Sequence, residues 1–187
     1  MKISVKATVR ATAQTLGIAE RIEPYLTGDE IGGEGERIVL LLVKCFNRVE
    51  NELALDYLPL LAEDEVISST GAVAYKDLSY PAVRVLCVED EKGDSAQYTL
   101  FPDRLETQMG KVKIIYSYTP EEKGVEGESD YQTAVSERLF VYGMAAEYLL
   151  AEGELQAASV WDKKYKEAIA AAYRIRPVKR LRSRRWV

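Results

Sequence analysis

The chain of 187 residues contains no histidine. That absence excludes Ser-His-Asp and Cys-His triads, a histidine general base and every histidine-ligated metal site. Cysteine is nearly absent: Cys45 and Cys87 are the only two, too few for a disulfide framework or a four-cysteine zinc site. Both lie in apolar runs and read as small, reduced core residues. No apolar run approaches the ~20 residues of a membrane span. Met1-Lys2-Ile3-Ser4-Val5-Lys6 lacks the apolar core of a signal peptide. The expectation is a protein made and folded in a reducing cytoplasm.

What remains is the composition of a soluble globular chain, 47% apolar and 29% charged. A chain of this length makes one ordinary domain and buries about 70% of its unfolded surface. The net charge of −5 conceals an asymmetry. Residues 1–167 hold all 30 acidic residues and 18 of the 25 basic ones, a formal charge of −12. Residues 168–187 hold no acid and the remaining 7 bases. An acidic body therefore carries a basic terminal strip, and such strips commonly have a partner.

Residues 3–9 alternate apolar and polar as in a half-buried strand, and 11–21 look helical until Pro24 stops them. Gly28 to Gly35 reads as a flexible glycine-rich loop. Residues 36–57 are a helix presenting Ile38, Leu41, Leu42, Cys45, Phe46, Val49 and Leu53, with Lys44, Asn47, Arg48, Glu50 and Asn51 on the other side. Strands are expected over 83–88, 97–101 and 111–118, with short pieces at 65–69 and 72–75. Glu91-Lys92-Gly93-Asp94 is a hairpin turn joining the first two. After a polar loop at 121–130, Ser129 with Gln132 fits a capping box for a helix over 131–151 facing inward with Val135, Leu139, Tyr142, Ala146 and Leu149. Gly153 separates it from a helix over 154–174 presenting Leu155, Ala158, Trp161, Tyr165, Ala168 and Ala172. The fold class is α+β: a helical scaffold of three main helices with an inserted small antiparallel sheet, about 63–118. Residues 1–176 form one domain and 177–187 an extended basic tail.

Candidate chemistry is thin. The loop at 28–35 lacks the Gly-Lys-Ser/Thr ending and GxGxxG spacing of a phosphate cradle, and its carboxylates would repel a phosphate. Glu63-Asp64-Glu65 and Glu89-Asp90-Glu91 with Asp94 lack EF-hand spacing and read as solvated strand ends or turns. No catalytic, cofactor or metal residue is assigned. The 12 tyrosines against 3 phenylalanines suit a core rim, or surfaces covered on assembly. The most informative segment is the tail, with Arg180, Arg182, Arg184, Arg185 and Trp186. Arginine forks bind carboxylates or phosphates through two donors, and tryptophan is a frequent interface anchor. An acidic groove on another protein is the favoured partner. Nucleic acid is the alternative, through phosphate neutralisation and stacking.

Several stretches carry a resemblance. Tyr142-Gly143-Met144-Ala145-Ala146-Glu147-Tyr148-Leu149-Leu150, then Gly153, Ala157, Trp161, Tyr165 and Ala168, ending in Arg184-Arg185-Trp186, resemble the head–tail connector (adaptor) proteins of tailed bacteriophages. Ile114-Ile115-Tyr116-Ser117-Tyr118-Thr119-Pro120 is similar to the strand that precedes the helix pair in adaptors with a β insertion. The resemblance covers roughly 110–187, with weaker support from 36–57. It implies a structural virion protein without catalysis, forming a ring, commonly of twelve copies, beneath the portal. Such a ring extends the DNA channel without reading sequence and presents a platform to the next neck or tail protein. It also implies that Arg180, Arg182, Arg184, Arg185 and Trp186 contact the portal protein or a neighbouring subunit. The expected location is the virion neck, and the host cytoplasm during assembly. The alternative is a nucleic-acid-binding accessory protein acting through the same tail.

Overall fold

The computed structural model describes residues 2–29, 32–131 and 135–174, with side chains to residue 172. The α+β class expected from the sequence is what is found. Among the described residues, five helices form a body: α1 (Val5–Leu16), α2 (Ala19–Thr27), α3 (Gly33–Glu52), α4 (Glu137–Ala151) and α5 (Leu155–Arg174). Six strands form an arm between α3 and α4: β1 (Leu60–Ser68), β2 (Ala72–Ala74), β3 (Ala82–Asp90), β4 (Thr99–Leu100), β5 (Arg104–Glu106) and β6 (Gly110–Tyr118). Among the described residues, no helix is long and apolar enough to cross a membrane.

The first segment is a helix and not the strand its alternation suggested. Ser4 caps it, with its hydroxyl accepting from the Ala7 amide at 3.4 Å. Val5, Thr8, Val9, Thr12 and Ala13 are buried at helical spacing. The alternation misleads because it counts the threonines as polar. The Thr8 and Thr12 hydroxyls each donate back to a carbonyl four residues earlier, at 2.8 Å, and so enter the core satisfied. Pro24 does not stop the next helix either. It sits inside α2, which runs to Thr27 and ends on Gly28 at φ 84°. The proline forfeits one helical hydrogen bond, and packing of Ile22 and Leu26 carries the helix past it.

The glycine-rich loop is shorter than expected, because α3 already begins at Gly33. Gly35 is a packing residue. A Cβ there would stand 2.8 Å from the Arg21 carbonyl oxygen, so its absence lets α2 lie against α3. Of the apolar face expected for α3, Ile38, Leu42, Cys45, Phe46, Val49 and Leu53 are buried and Leu41 is half-buried. Glu50 is a correction: it faces inward, 1% exposed. The helix continues as one π turn over Leu53–Tyr57. Cys45 is buried as expected, but Cys87 on β3 is only half-buried.

In the arm, β6 lies between β1 and β3, both antiparallel to it. A second small sheet, ordered β2-β5-β4, shares a separate core with the first, built on Val85, Val88, Leu105, Val112, Ile114 and Tyr116. The turn at 91–94 forms. Gly93 takes φ 81°, and the Asp90 carboxylate accepts from the Lys92 and Asp94 amides, each at 2.9 Å. The chain then returns only as far as the Ala96 amide, which donates to the Val88 carbonyl at 2.8 Å. The expected hairpin partner over 97–101 instead contributes two residues, β4, to the second sheet.

The helix expected from residue 131 begins at Glu137, with Ser136 at its cap position. Tyr131 is held in the core, its hydroxyl donating to the Leu58 carbonyl at 2.7 Å and its amide to the Ser129 hydroxyl at 3.0 Å. Helix α4 is apolar nearly all round and central. Leu139 and Val135 are buried as expected, but Tyr142, Ala146 and Leu149 are half-buried, and Phe140, Val141, Met144, Ala145 and Tyr148 do most of the filling. Gly143 lets its neighbours close in: a Cβ would stand 2.8 Å from Val49 Cγ2 and 3.0 Å from the Tyr165 ring.

Candidate docking surfaces

Arg180, Arg182, Arg184, Arg185 and Trp186 lie outside the described residues, as does the whole tail from residue 177. What the structure gives is the helix leading to them. Of the inward face expected for α5, Ala158 and Tyr165 are buried, Trp161, Ala168 and Ala172 are half-buried, and Leu155 is exposed; Ile169 is the remaining buried position. The Tyr165 hydroxyl donates to Glu52 at 3.2 Å, tying the helix to the end of α3. The other faces of α5 are open, with Leu155 64% and Val160 55% exposed among the lysines Lys163, Lys164 and Lys166.

A groove of about 550 Å³ lies between the start of α4 and the last turns of α5, floored by Leu139, Tyr142, Ala168, Ala171 and Ala172. Beside it stands an aromatic ridge. The Tyr142 and Trp161 rings are 5.5 Å apart. Arg138 donates to the Tyr142 hydroxyl and lies over its ring, and the Lys164 ammonium sits 4.1 Å from the Trp161 ring centroid. Neither cation is within ion-pair distance of a described carboxylate. Glu167 and Glu137 share the rims, so the charge here is mixed. The helical spacing predicts Tyr142 and Trp161 to face inward, whereas both are half-buried. The signal for a ridge was local: Arg138 is four residues before Tyr142 and Lys164 three after Trp161, the spacings that stack a cation on a ring.

The acidic runs on the arm have structural partners. Glu63 and Glu65 lie mid-strand on β1 and pair across to Lys113 and Lys111 of β6, each at 2.6 Å. The Lys111 ammonium holds the Glu65 carboxyl below its usual range. Asp64 points to the opposite face, where it accepts from the Ser79 amide and hydroxyl and from the Tyr116 hydroxyl, all at 2.7 Å. Burial and this bond push the Tyr116 hydroxyl up to about 12. Among the described residues, no group of three or more acidic or cysteine side chains is placed to hold a metal ion.

Glu50 is the group that sequence reasoning placed wrongly. Its Oε1 accepts from the Ser129 hydroxyl at 2.5 Å and the Asp130 amide at 2.9 Å, while Oε2 is buried without a partner among the described residues. Burial raises its carboxyl above the ordinary range, against the lowering effect of those bonds and of Lys123. One turn earlier, Asn47 accepts from the Lys123 amide at 2.8 Å and donates to its carbonyl at 3.0 Å. Together, Asn47 and Glu50 clamp the connection from the arm back to the body. A polar residue inside an apolar helix face was the only sequence signal, and it reads equally well as solvent-facing.

A scan against protein-family models finds no match to the chain, and a search of curated proteins finds none either.

Proposed function

We propose that this chain is a structural head–tail connector of a tailed bacteriophage and not an enzyme. Copies form a ring, of twelve in the family it resembles, beneath the portal protein. The ring continues the DNA channel and offers a platform to the next neck or tail protein, in the virion neck, after assembly in the host cytoplasm. Its basic segment, with Arg180, Arg182, Arg184, Arg185 and Trp186, docks on the portal or on a neighbouring copy.

The observation that supports this reading is the exposure of α5. A 20-residue helix with only Ala158, Tyr165 and Ile169 buried among its described side chains leaves Leu155 and Val160 in water. Helices of that kind are common where a neighbouring subunit completes the packing. It leads directly into the cationic, tryptophan-tipped segment. An acidic body suits the wall of a passage that must not grip DNA.

The test is capture by the portal protein of the same phage. The full chain is expected to form a complex visible as stacked rings by electron microscopy. Arg184→Glu/Arg185→Glu/Trp186→Ala is expected to lower its yield at least ~10-fold, because anchors of this type dominate interface energetics. Failure of the unaltered chain to associate with the portal sinks the reading. The nucleic-acid alternative makes a different claim: retention on DNA that falls steeply with salt.

A further inference from the structure

We propose that residues 179–186 of one copy add as a strand, antiparallel, to the free edge of β1 on a second copy. This rests on reading the basic segment as a docking arm, and it names the surface that receives the arm.

The receiving edge is unusual. β1 pairs with β6 without interruption, from Leu60 opposite Tyr118 to Ser68 opposite Gly110. Among the described residues, none of its backbone groups bonds to anything on the other side. The opposite edge, β3, is protected in two ways: its register shifts at Ala82/Arg84 and at Val85/Cys87, and the return at Ala96 covers its end. Proteins normally blunt long edges with bulges, prolines, charged side chains or a covering segment. Over its nine residues β1 has no bulge, proline or lysine, and its protection is charge of one sign. It has Glu63, Asp64 and Glu65 instead, and like charges directly opposed disfavour pairing of β1 with another β1. The edge is closed to its own kind and open to a basic strand.

The chain supplies one such strand. From Lys179 to Trp186, the sequence Lys-Arg-Leu-Arg-Ser-Arg-Arg-Trp contains five cations and no acid. On the outward face of β1, Leu61, Glu63, Glu65 and Ile67 alternate, with Leu61 58% and Ile67 79% exposed. With Trp186 beside Leu61 in an antiparallel ladder, Arg184 falls beside Glu63 and Arg182 beside Glu65. On the other face, Leu181 falls beside Val66 and Ser183 beside Asp64. Each glutamate already has a lysine partner on the β6 side, and a carboxylate accepts a second donor from the open side.

The donor is a second copy, as in a ring of identical subunits in which each arm passes to its neighbour. The same segment folded back on its own β1 would leave the chain monomeric at every concentration, which the association test detects.

The test uses full-length chains in sedimentation equilibrium. The unaltered protein is expected to self-associate, more weakly as salt rises. Glu63→Lys/Glu65→Lys and Arg182→Glu/Arg184→Glu are each expected to weaken association at least ~10-fold, as opposed like charges do. An equimolar mixture of the two variants is expected to recover association to within ~3-fold, because both contacts between unlike copies are then complementary. Recovery on mixing also shows that both variants fold. A monomeric unaltered chain at ~100 μM, indifference to both charge reversals, or no recovery on mixing overturns the proposal. If the tail triple variant loses portal capture while self-association ignores both reversals, the connector reading stands and this inference falls. If association behaves as expected but the portal is not captured, the reverse holds.

Discussion

A carboxylate that is 1% exposed, with one oxygen lacking any partner among the described residues, makes the fold sensitive to pH at a single atom. Glu50 gives up its proton in the ordinary carboxylate range when the chain is unfolded and holds it to higher pH when folded, because burial disfavours the charge. Between those two points the folded state binds more protons. Its favourable effect is therefore fully present below the ordinary range and is lost as pH rises through the folded-state value. The surrounding groups are Ser129, the Asp130 amide and carboxylate, and Lys123, which itself pairs with Asp130 at 3.0 Å. Lys123 favours the charged form, and the Asp130 carboxylate opposes it. Glu50→Gln keeps an acceptor for Ser129 and Asp130 and removes the charge. Urea unfolding of this variant between pH 4 and pH 8 is expected to show a gain over the unaltered chain that grows with pH. A constant difference across that range would mean that Glu50 titrates normally.

At the scale of elements, Gly143 shows how closely three helices are set. A methyl group there meets Val49 of α3 and the Tyr165 ring of α5 together. Gly143→Ala is expected to destabilise the protein by about 1–3 kcal/mol, the usual range for overpacking, although alanine is the better helix former. Thermal unfolding checks it, and an unchanged or raised midpoint would show that α5 yields freely. The same elements show what sequence can and cannot reveal. The α3 face was legible because Ile38, Leu42, Cys45, Phe46, Val49 and Leu53 lie at helical spacing and all are buried. β6 was legible because Gly110 and Pro120 bracket a run rich in β-branched and aromatic residues, Val112, Ile114, Ile115, Tyr116 and Tyr118. The α1 helix was not, because Thr8 and Thr12 satisfy their hydroxyls locally and then count as apolar. The partners of Glu50 and Tyr131 lie 79 and 73 residues away, and no local pattern specifies a contact at that range. The order β1-β6-β3 is hidden for the same reason. The five tail residues fall outside the described residues, so the candidate surfaces legible in the structure are the open faces of α5, the ridge at Tyr142 and Trp161, and the edge of β1.

For the molecule as a whole, the decisive feature is that it has two cores. Among the described residues, twenty-three buried side chains form the helical one and nine the arm's, and Leu60, at the first pair of β1 and β6, packs against both. Free energy of burial scales with the apolar area removed from water, so the arm has much the smaller reserve. Its backbone ladders hold it together, and among the described residues it is joined to the body at its base by Leu60, the Tyr131 bond to Leu58, the Asn47–Lys123 bracket and the Glu50 bonds to Ser129 and Asp130. Such a unit opens sub-globally before the rest unfolds. Ile114→Ala, at a fully buried position in the middle of β6, removes about 2–5 kcal/mol from whichever cooperative unit contains it. Native-state hydrogen exchange is then expected to show faster exchange at β1, β3 and β6 while amides of α3 and α4 keep their rates. Equal acceleration in both regions would make the protein one cooperative unit. The distinction bears on assembly: an arm that opens on its own can accept a strand at its edge while the helical body keeps its shape, whereas a single unit would transmit every rearrangement of the arm into the body.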